Sequence, residues 1–157
     1  MRYFPFKTPD QLPLADFLRG GLRFFFIEAD KFARPYALHI QRNDGLCVKL
    51  GSFVYEIAPR EEVGSLLIEF ENGFPPGRKS YEFPEEFRAE VRFSQLNITL
   101  EDAKIACGLA LIGRSSAQMI VVPGEMPYSI HVESSFFTDS FKPEFNLADY
   151  HRSNADE

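Results

Sequence analysis

The sequence predicts an α+β domain: a curved, mostly antiparallel sheet of about seven to eight strands, packed on one main buried helix, with a short N-terminal helix. Apolar and polar residues alternate along most segments between residues 22 and 133, which is the period of a strand. The connections between these segments are short, which favours an antiparallel meander. A single ten-residue apolar segment, residues 103–112, lacks clear alternation and predicts the buried helix.

The two helices are predicted from their faces and their ends. Leu14, Phe17 and Leu18 share one helical face, and two glycines at positions 20 and 21 end that helix. For the buried helix, Thr99 can serve as the N-cap, and Asp102 lies in the first turn, where the helix dipole favours negative charge.

Eight segments have the composition of strands, and one turn between them is strongly indicated. Asn43-Asp44-Gly45 separates the second and third segments, and Asp-Gly readily adopts the positive φ that a tight hairpin requires. The strand segments cover residues 22–28, 36–41, 46–50, 53–57, 66–70, 87–93, 117–122 and 128–133.

The chain length of 157 residues predicts one domain, residues 1–135, followed by a C-terminal aromatic arm, residues 136–157, that ends in a disordered tail. Leaving the rings of the arm in water would forgo roughly 1.5–3 kcal/mol of burial for each ring. We therefore expect the arm to dock on its own domain or on a second copy, which would make a homodimer. Its aromatic residues are Phe136, Phe137, Phe141, Phe145 and Tyr150.

The net charge of −6 is unevenly distributed, because residues 61–157 alone carry −9. An acidic chain repels phosphate backbones, so the charge disfavours nucleic acid and favours a basic protein partner. No signal peptide or membrane-spanning segment is indicated, which predicts a cytoplasmic protein that does not bind membranes. Cys47 and Cys107 are interpreted as reduced, apolar residues.

No catalytic motif was found, and neither a metal site nor a cofactor is predicted. One polar pair remains a candidate: His131 and Glu133 project from the same face of one strand. Such a pair can act as a base with its orienting carboxylate, or as two metal ligands. The alternative is an ordinary pair of solvated side chains on a strand face.

The long segment of residues 71–85 is rich in Pro, Gly and aromatic residues, and it predicts a partner-binding surface. Its aromatic rings would contribute desolvated contacts, and its acids would attract a basic surface. The alternative is that Phe74, Tyr81 and Phe83 fold back and cover the edge of the core. The predicted partner-binding residues are Phe74, Arg78, Tyr81, Glu82, Glu85 and Glu86.

Together these features favour a non-enzymatic, acidic protein-binding module that acts as an inhibitor or adaptor. In size and charge the chain is similar to small acidic immunity and antitoxin proteins, and to acidic secretion chaperones that alternate helices with antiparallel strands. The alternative hypothesis is a small-molecule-binding protein or an enzyme, with an aromatic pocket inside the curved sheet. The residues expected to line that pocket are Phe24, Phe26, Phe53, Tyr55 and Phe93.

Overall fold

The computed structural model describes residues 1–8, 13–74, 79–138 and 141–154, and these residues form a mostly β fold with one short α-helix. Short 3-10 turns lie at Glu85–Phe87, Arg114–Ser116 and Leu147–Asp149. The regular elements are β1 (Arg2–Phe4), α1 (Leu14–Leu18), β2 (Leu22–Ala29), β3 (Pro35–Arg42), β4 (Cys47–Ala58), β5 (Glu61–Glu71), β6 (Tyr81–Glu82), β7 (Arg92–Leu100), β8 (Ala103–Ile112), β9 (Gln118–Pro123), β10 (Ile130–Ser134) and β11 (His151–Asn154).

The strands form two sheets. Sheet I has the order β5-β4-β3-β2-β6, and sheet II has the order β10-β9-β8-β7-β11. All these pairs are antiparallel, whereas β1 adds to sheet II by pairing with β8 in parallel. After β1, the backbone of Lys7 pairs with Leu67 of β5, so the N-terminal segment connects the central strand β8 of sheet II with the edge strand β5 of sheet I.

The predicted α+β architecture is wrong, because the segment expected to be the buried helix is the central strand β8. Thr99 and Asp102, interpreted as helix-capping residues, instead lie at the end of β7 and in the turn of a β7–β8 hairpin. Apolar clusters cover both faces of sheet II, so β8 is buried except at Lys104 and Ile112 and shows no alternation. A fully buried strand and a buried helix segment have the same apolar pattern.

Several local predictions are confirmed. The short helix forms at Leu14–Leu18 with Phe17 and Leu18 buried, and the Asn43-Asp44-Gly45 turn has Gly45 at φ 96°. Two of the predicted strand segments are one continuous strand, β4. The prediction of a strand at residues 87–93 is only partly correct, because Glu85–Phe87 is a 3-10 turn and β7 begins at Arg92.

The buried apolar side chains form two clusters on opposite faces of sheet II. The first lies between the sheets and includes Phe25, Leu38 and Leu109. The second contains Ile105 and Val122 and is also built from the end of the β4–β5 hairpin and from the C-terminal arm. The β7–β8 pairing contains a bulge, where Leu96 faces Gly108 and Asn97 faces Ala106. This bulge keeps apolar side chains on the face of β8 that meets the second cluster.

The aromatic residues of the C-terminal arm contact this chain's own clusters. Phe136 and Phe137 pack on the first cluster, where their rings lie 6.1 and 5.4 Å from that of Phe25. Tyr150 is 7% exposed in the second cluster and packs against Phe145. The domain boundary at residue 135 and a homodimer through the arm both stay predictions, and the end of the predicted disordered tail, residues 155–157, lies outside the described residues.

Candidate functional site

A groove of about 340 Å³ opens where the end of the β4–β5 hairpin meets the end of β9 and the C-terminal arm. The arm is held there by backbone hydrogen bonds, from the N–H of Glu125 to the carbonyl of Lys142 (2.8 Å) and from the N–H of Glu144 to the carbonyl of Pro123 (3.0 Å). We call it the Glu144 groove. The lining residues that matter for its chemistry are Arg60, Glu62, Gly64, Met126, Tyr128 and Glu144.

Two turns form the rim of the groove, and both hold a side chain in a conformation that usually requires glycine or asparagine. In each turn a proline precedes a residue with positive φ: Pro59 precedes Arg60 (φ 63°), and Pro127 precedes Tyr128 (φ 66°). Proline followed by positive φ is the arrangement of a type II turn. A left-handed conformation costs a residue with a Cβ roughly 1–2 kcal/mol. Such strain is concentrated at functional sites, which makes this rim a candidate.

The floor of the groove depends on Gly64 of β5. A Cβ added at Gly64 would lie 2.6 Å from the Cβ of Pro123 and 3.2 Å from Oε1 of Glu144. Because glycine has no side chain, β5 can approach both the end of β9 and the carboxylate. The N–H of Gly64 donates to both oxygens of Glu144, at 3.0 Å to Oε1 and 3.3 Å to Oε2.

Glu144 is a half-buried carboxylate without an ion pair among the described residues. Burial raises its pKa, and the hydrogen bond from Gly64 only partly opposes this effect. Burial, followed by the charge of Glu144, also raises the pKa of the neighbouring Cys107 to about 12. Tyr150 lies in the same surroundings, and its buried hydroxyl has no hydrogen-bond partner within the described part of the chain. Burial is thus the largest cause of a raised pKa at all three of these groups.

The rim of the groove presents apolar groups to solvent beside this carboxylate. Met126 is 44% exposed and Tyr128 is 62% exposed. The turn that carries them is fixed by the N–H of Ser129, which donates to the carbonyl of Met126 at 3.1 Å. An exposed aromatic ring and a thioether beside a charged group are typical of protein-binding surfaces. The fold and the groove thus define a two-sheet β protein with a preformed surface groove.

The structure places the two predicted aromatic anchors, Phe74 and Tyr81, on opposite faces of sheet I. The Phe74 ring packs edge-on against Phe26 at 5.0 Å, on the outer face. The Tyr81 ring stacks on Phe25 at 5.6 Å, on the face that meets the first cluster, and Tyr81 remains 41% exposed. Phe83 is buried in the core, as the alternative interpretation expected. Predicted residue Arg78 lies outside the described residues.

The three predicted acids beside the anchors have ordinary surface surroundings. Glu82 forms an ion pair with Arg88, and Glu85 is an exposed carboxylate 3.6 Å from a guanidinium nitrogen of Arg114. Glu86 is half-buried in the 3-10 turn. A partner surface at these residues stays a prediction.

The five aromatic residues expected to line an internal pocket belong to separate environments. Phe26 stacks on His39, whereas Phe53 and Tyr55 contact each other with ring centroids 4.6 Å apart. Phe93 packs against the first cluster, and Phe24 lies beneath the guanidinium of Arg23. The structure therefore brings together only part of this set.

The predicted polar pair lies side by side on β10. His131 is buried, with Nε2 3.5 Å from Oε1 of Glu133, and its Nδ1–H donates to the carbonyl of Phe141. Glu133 borders a wide depression of about 570 Å³ that also contains Gln118 and Arg152. The histidine therefore helps to hold the C-terminal arm against β10.

A second histidine lies in a charged cluster that sequence reasoning missed. His39 lies between Leu38 and Ile40 on β3, and it is 1% exposed. Its Nε2 lies 2.5 Å from Oε1 of Glu28, and its Nδ1 lies 3.1 Å from Oε2 of Glu71. The Tyr36 hydroxyl donates to the other oxygen of Glu28 at 2.6 Å. The ring stacks on Phe26 at 4.3 Å, so the imidazole joins β2, β3 and β5 on the outer face of sheet I.

The Glu144 groove was also missed from the sequence. The available signal was the pair of Pro-X turns, Pro59-Arg60 and Pro127-Tyr128, but their conformation is not visible in the residue types. Glu144 itself lies in a segment that has no regular secondary structure. Its position beside Gly64 depends on a contact between residues 80 positions apart.

Comparison with known proteins gives no family for this chain. No protein family matches the sequence, and neither a curated protein nor a solved structure is significantly similar to it. Within the described residues, no three His, Cys, Asp or Glu side chains are grouped so that they could hold a metal ion. No helix in those residues is long and apolar enough to cross a membrane.

Proposed function

We propose that the protein is a non-enzymatic binding module for a protein partner, and that the Glu144 groove is the centre of its recognition surface. The observation that carries this proposal is the rim: the strained Pro127-Tyr128 turn holds exposed Met126 and Tyr128 beside Glu144, a carboxylate with no ion pair among the described residues, and the strained Pro59-Arg60 turn lies on the same groove. Residues held in an unfavourable backbone conformation are costly to keep without a use, which supports a binding role for Tyr128 in particular.

The net charge of −6 favours a partner with a basic surface. Steering by charge would increase the association rate, and the apolar rim would contribute the desolvated contacts that slow dissociation. We place this binding in the cytoplasm, because both cysteines are free and buried, as is typical of proteins in a reducing compartment. An inhibitor or adaptor of another protein is the role that fits best.

The proposal is tested by capturing interacting proteins from cells that express the chain, then measuring the affinity of a purified partner for three variants. Tyr128→Gly removes the ring but should change stability by less than about 0.5 kcal/mol, because relief of the left-handed conformation offsets the backbone entropy of glycine. We expect this variant to bind the partner about tenfold or more weakly, as for a residue at the centre of an interface.

Tyr81→Ala and Phe32→Ala are the matched controls, since both remove exposed rings outside the groove. Both should bind normally. If Tyr81→Ala loses affinity and Tyr128→Gly does not, the partner docks on the surface predicted at residues 71–85. If no protein partner binds the wild-type chain, the proposed function is wrong.

A further inference from the structure

The Glu144 groove has a hydrogen-bond acceptor that the described residues of this chain do not saturate. An ionised carboxylate can accept about four hydrogen bonds, and the N–H of Gly64 supplies one donor shared between the two oxygens. Glu144 forms no ion pair within the described residues, although Arg60 lines the same groove. Burying a carboxylate with so little compensation is unfavourable, unless another charged donor binds there.

The shape of this acceptor also discriminates between cations. The Gly64 N–H lies between Oε1 and Oε2, at 3.0 and 3.3 Å, which is where the fork of an arginine guanidinium would dock in a bidentate pair. The remaining lone pairs point away from that position. A compact ammonium needs no fork geometry and can bind one oxygen from the side.

The surrounding side chains fit the stem of a lysine. Tyr128 and Met126 border the groove and are exposed, so they can cover the apolar carbons of a long side chain, and the Tyr128 ring can face its charge. Glu62 adds a second negative charge at the rim, and Arg60 adds one positive charge. The charged residues that line the groove therefore have a net charge of −1 when Glu144 is ionised.

We infer that the Glu144 groove receives one lysine side chain of a protein partner, with its ammonium on the Glu144 carboxylate. This inference rests on the proposed function, since it names the group that the partner would insert. The same ammonium chemistry could come from free lysine, and the experiment must separate these two sources.

The test titrates the intact protein with Nα-acetyl-lysine N-methylamide and follows the backbone amide of Gly64 by NMR. We expect saturable binding in the millimolar range. A matched probe whose ε-amino group is acetylated, and therefore uncharged, should bind about tenfold more weakly. Glu144→Gln should weaken the lysine probe by about tenfold, whereas Arg60→Gln should strengthen it by about threefold because a like charge is removed.

Four results would overturn the inference. The first is no shift of the Gly64 amide, and the second is equal binding of the acetylated probe. The third is an arginine probe that binds about tenfold more tightly than lysine, and the fourth is free lysine that binds more tightly than the capped probe. The proposed function fails separately, because it depends on the effect of Tyr128→Gly on a protein partner and not on these probes.

Discussion

Glu28 and Glu144 are both half-buried glutamates, yet the pKa of the first is lowered and that of the second is raised. Burial acts to raise the pKa at both sites. At Glu28, hydrogen bonds from Tyr36 and His39, with the charges of His39 and Lys49, outweigh burial. At Glu144 the single hydrogen bond from the backbone N–H of Gly64 does not outweigh burial.

This difference separates a structural cluster from a candidate binding site. The carboxylates around His39 are matched with donors from the same sheet, so their charge contributes to holding the strands together. The carboxylate of Glu144 can accept further hydrogen bonds, so its charge is available to a ligand. A buried charged group indicates a binding site only when its compensation within the chain is incomplete.

The largest effect is expected from removing His39. His39→Leu leaves Glu28 and Glu71 facing each other without the donor between them, and we expect a loss of about 3–5 kcal/mol in the free energy of unfolding. Urea denaturation followed by circular dichroism measures this value. His151→Leu, at an exposed position, is the control and should be close to neutral. A loss below about 1 kcal/mol for His39→Leu would show that the cluster contributes little.

Gly64→Ala should have the next largest effect. The added methyl group would press on Pro123 and on the Glu144 carboxylate, so we expect a loss of about 1–3 kcal/mol and weaker binding of the lysine probe. Gly51→Ala is the matched control in the neighbouring strand β4, because its added Cβ would meet the carbonyl oxygen of Tyr36 at an ordinary 3.6 Å. Equal effects of the two substitutions would contradict the close approach at the floor of the groove.

The smallest effect, and the sharpest comparison, is the pH dependence of Glu28→Gln and Glu144→Gln. The folded pKa of Glu28 is lowered, so its stabilising contribution is present above the unfolded pKa and is lost as pH falls through the folded pKa. The folded pKa of Glu144 is raised, so its contribution is present below the unfolded pKa and is lost as pH rises through the folded pKa.

The two variants should therefore differ from the wild type with opposite pH slopes. At neutral pH, Glu28→Gln should destabilise the protein, and Glu144→Gln should be neutral or stabilising. Urea unfolding at several pH values below and above the ordinary glutamate pKa of about 4.3 gives both slopes. Slopes of the same sign would show that the two carboxylates have the same environment, which would remove the basis for the proposed lysine site.

The sequence by itself determined the short-range features of this protein. The glycine pair after Leu18, the Asp44-Gly45 turn and the alternation along β3 could be predicted, because a local conformation depends on neighbouring residues. The β8 strand could not be distinguished from a helix, because burial on both faces removes the alternation that identifies a strand.

Only the tertiary structure decided the two charged sites. His39 meets Glu28 and Glu71 because four strands, β2 to β5, pair in register, and Glu144 meets Gly64 because the arm pairs with the end of β9. The pKa of each carboxylate is then set by burial and by donors that are distant in the sequence. Burial and the positions of these donors follow from packing. The sequence therefore shows that a carboxylate is present, but it does not show whether other groups of the protein compensate its charge.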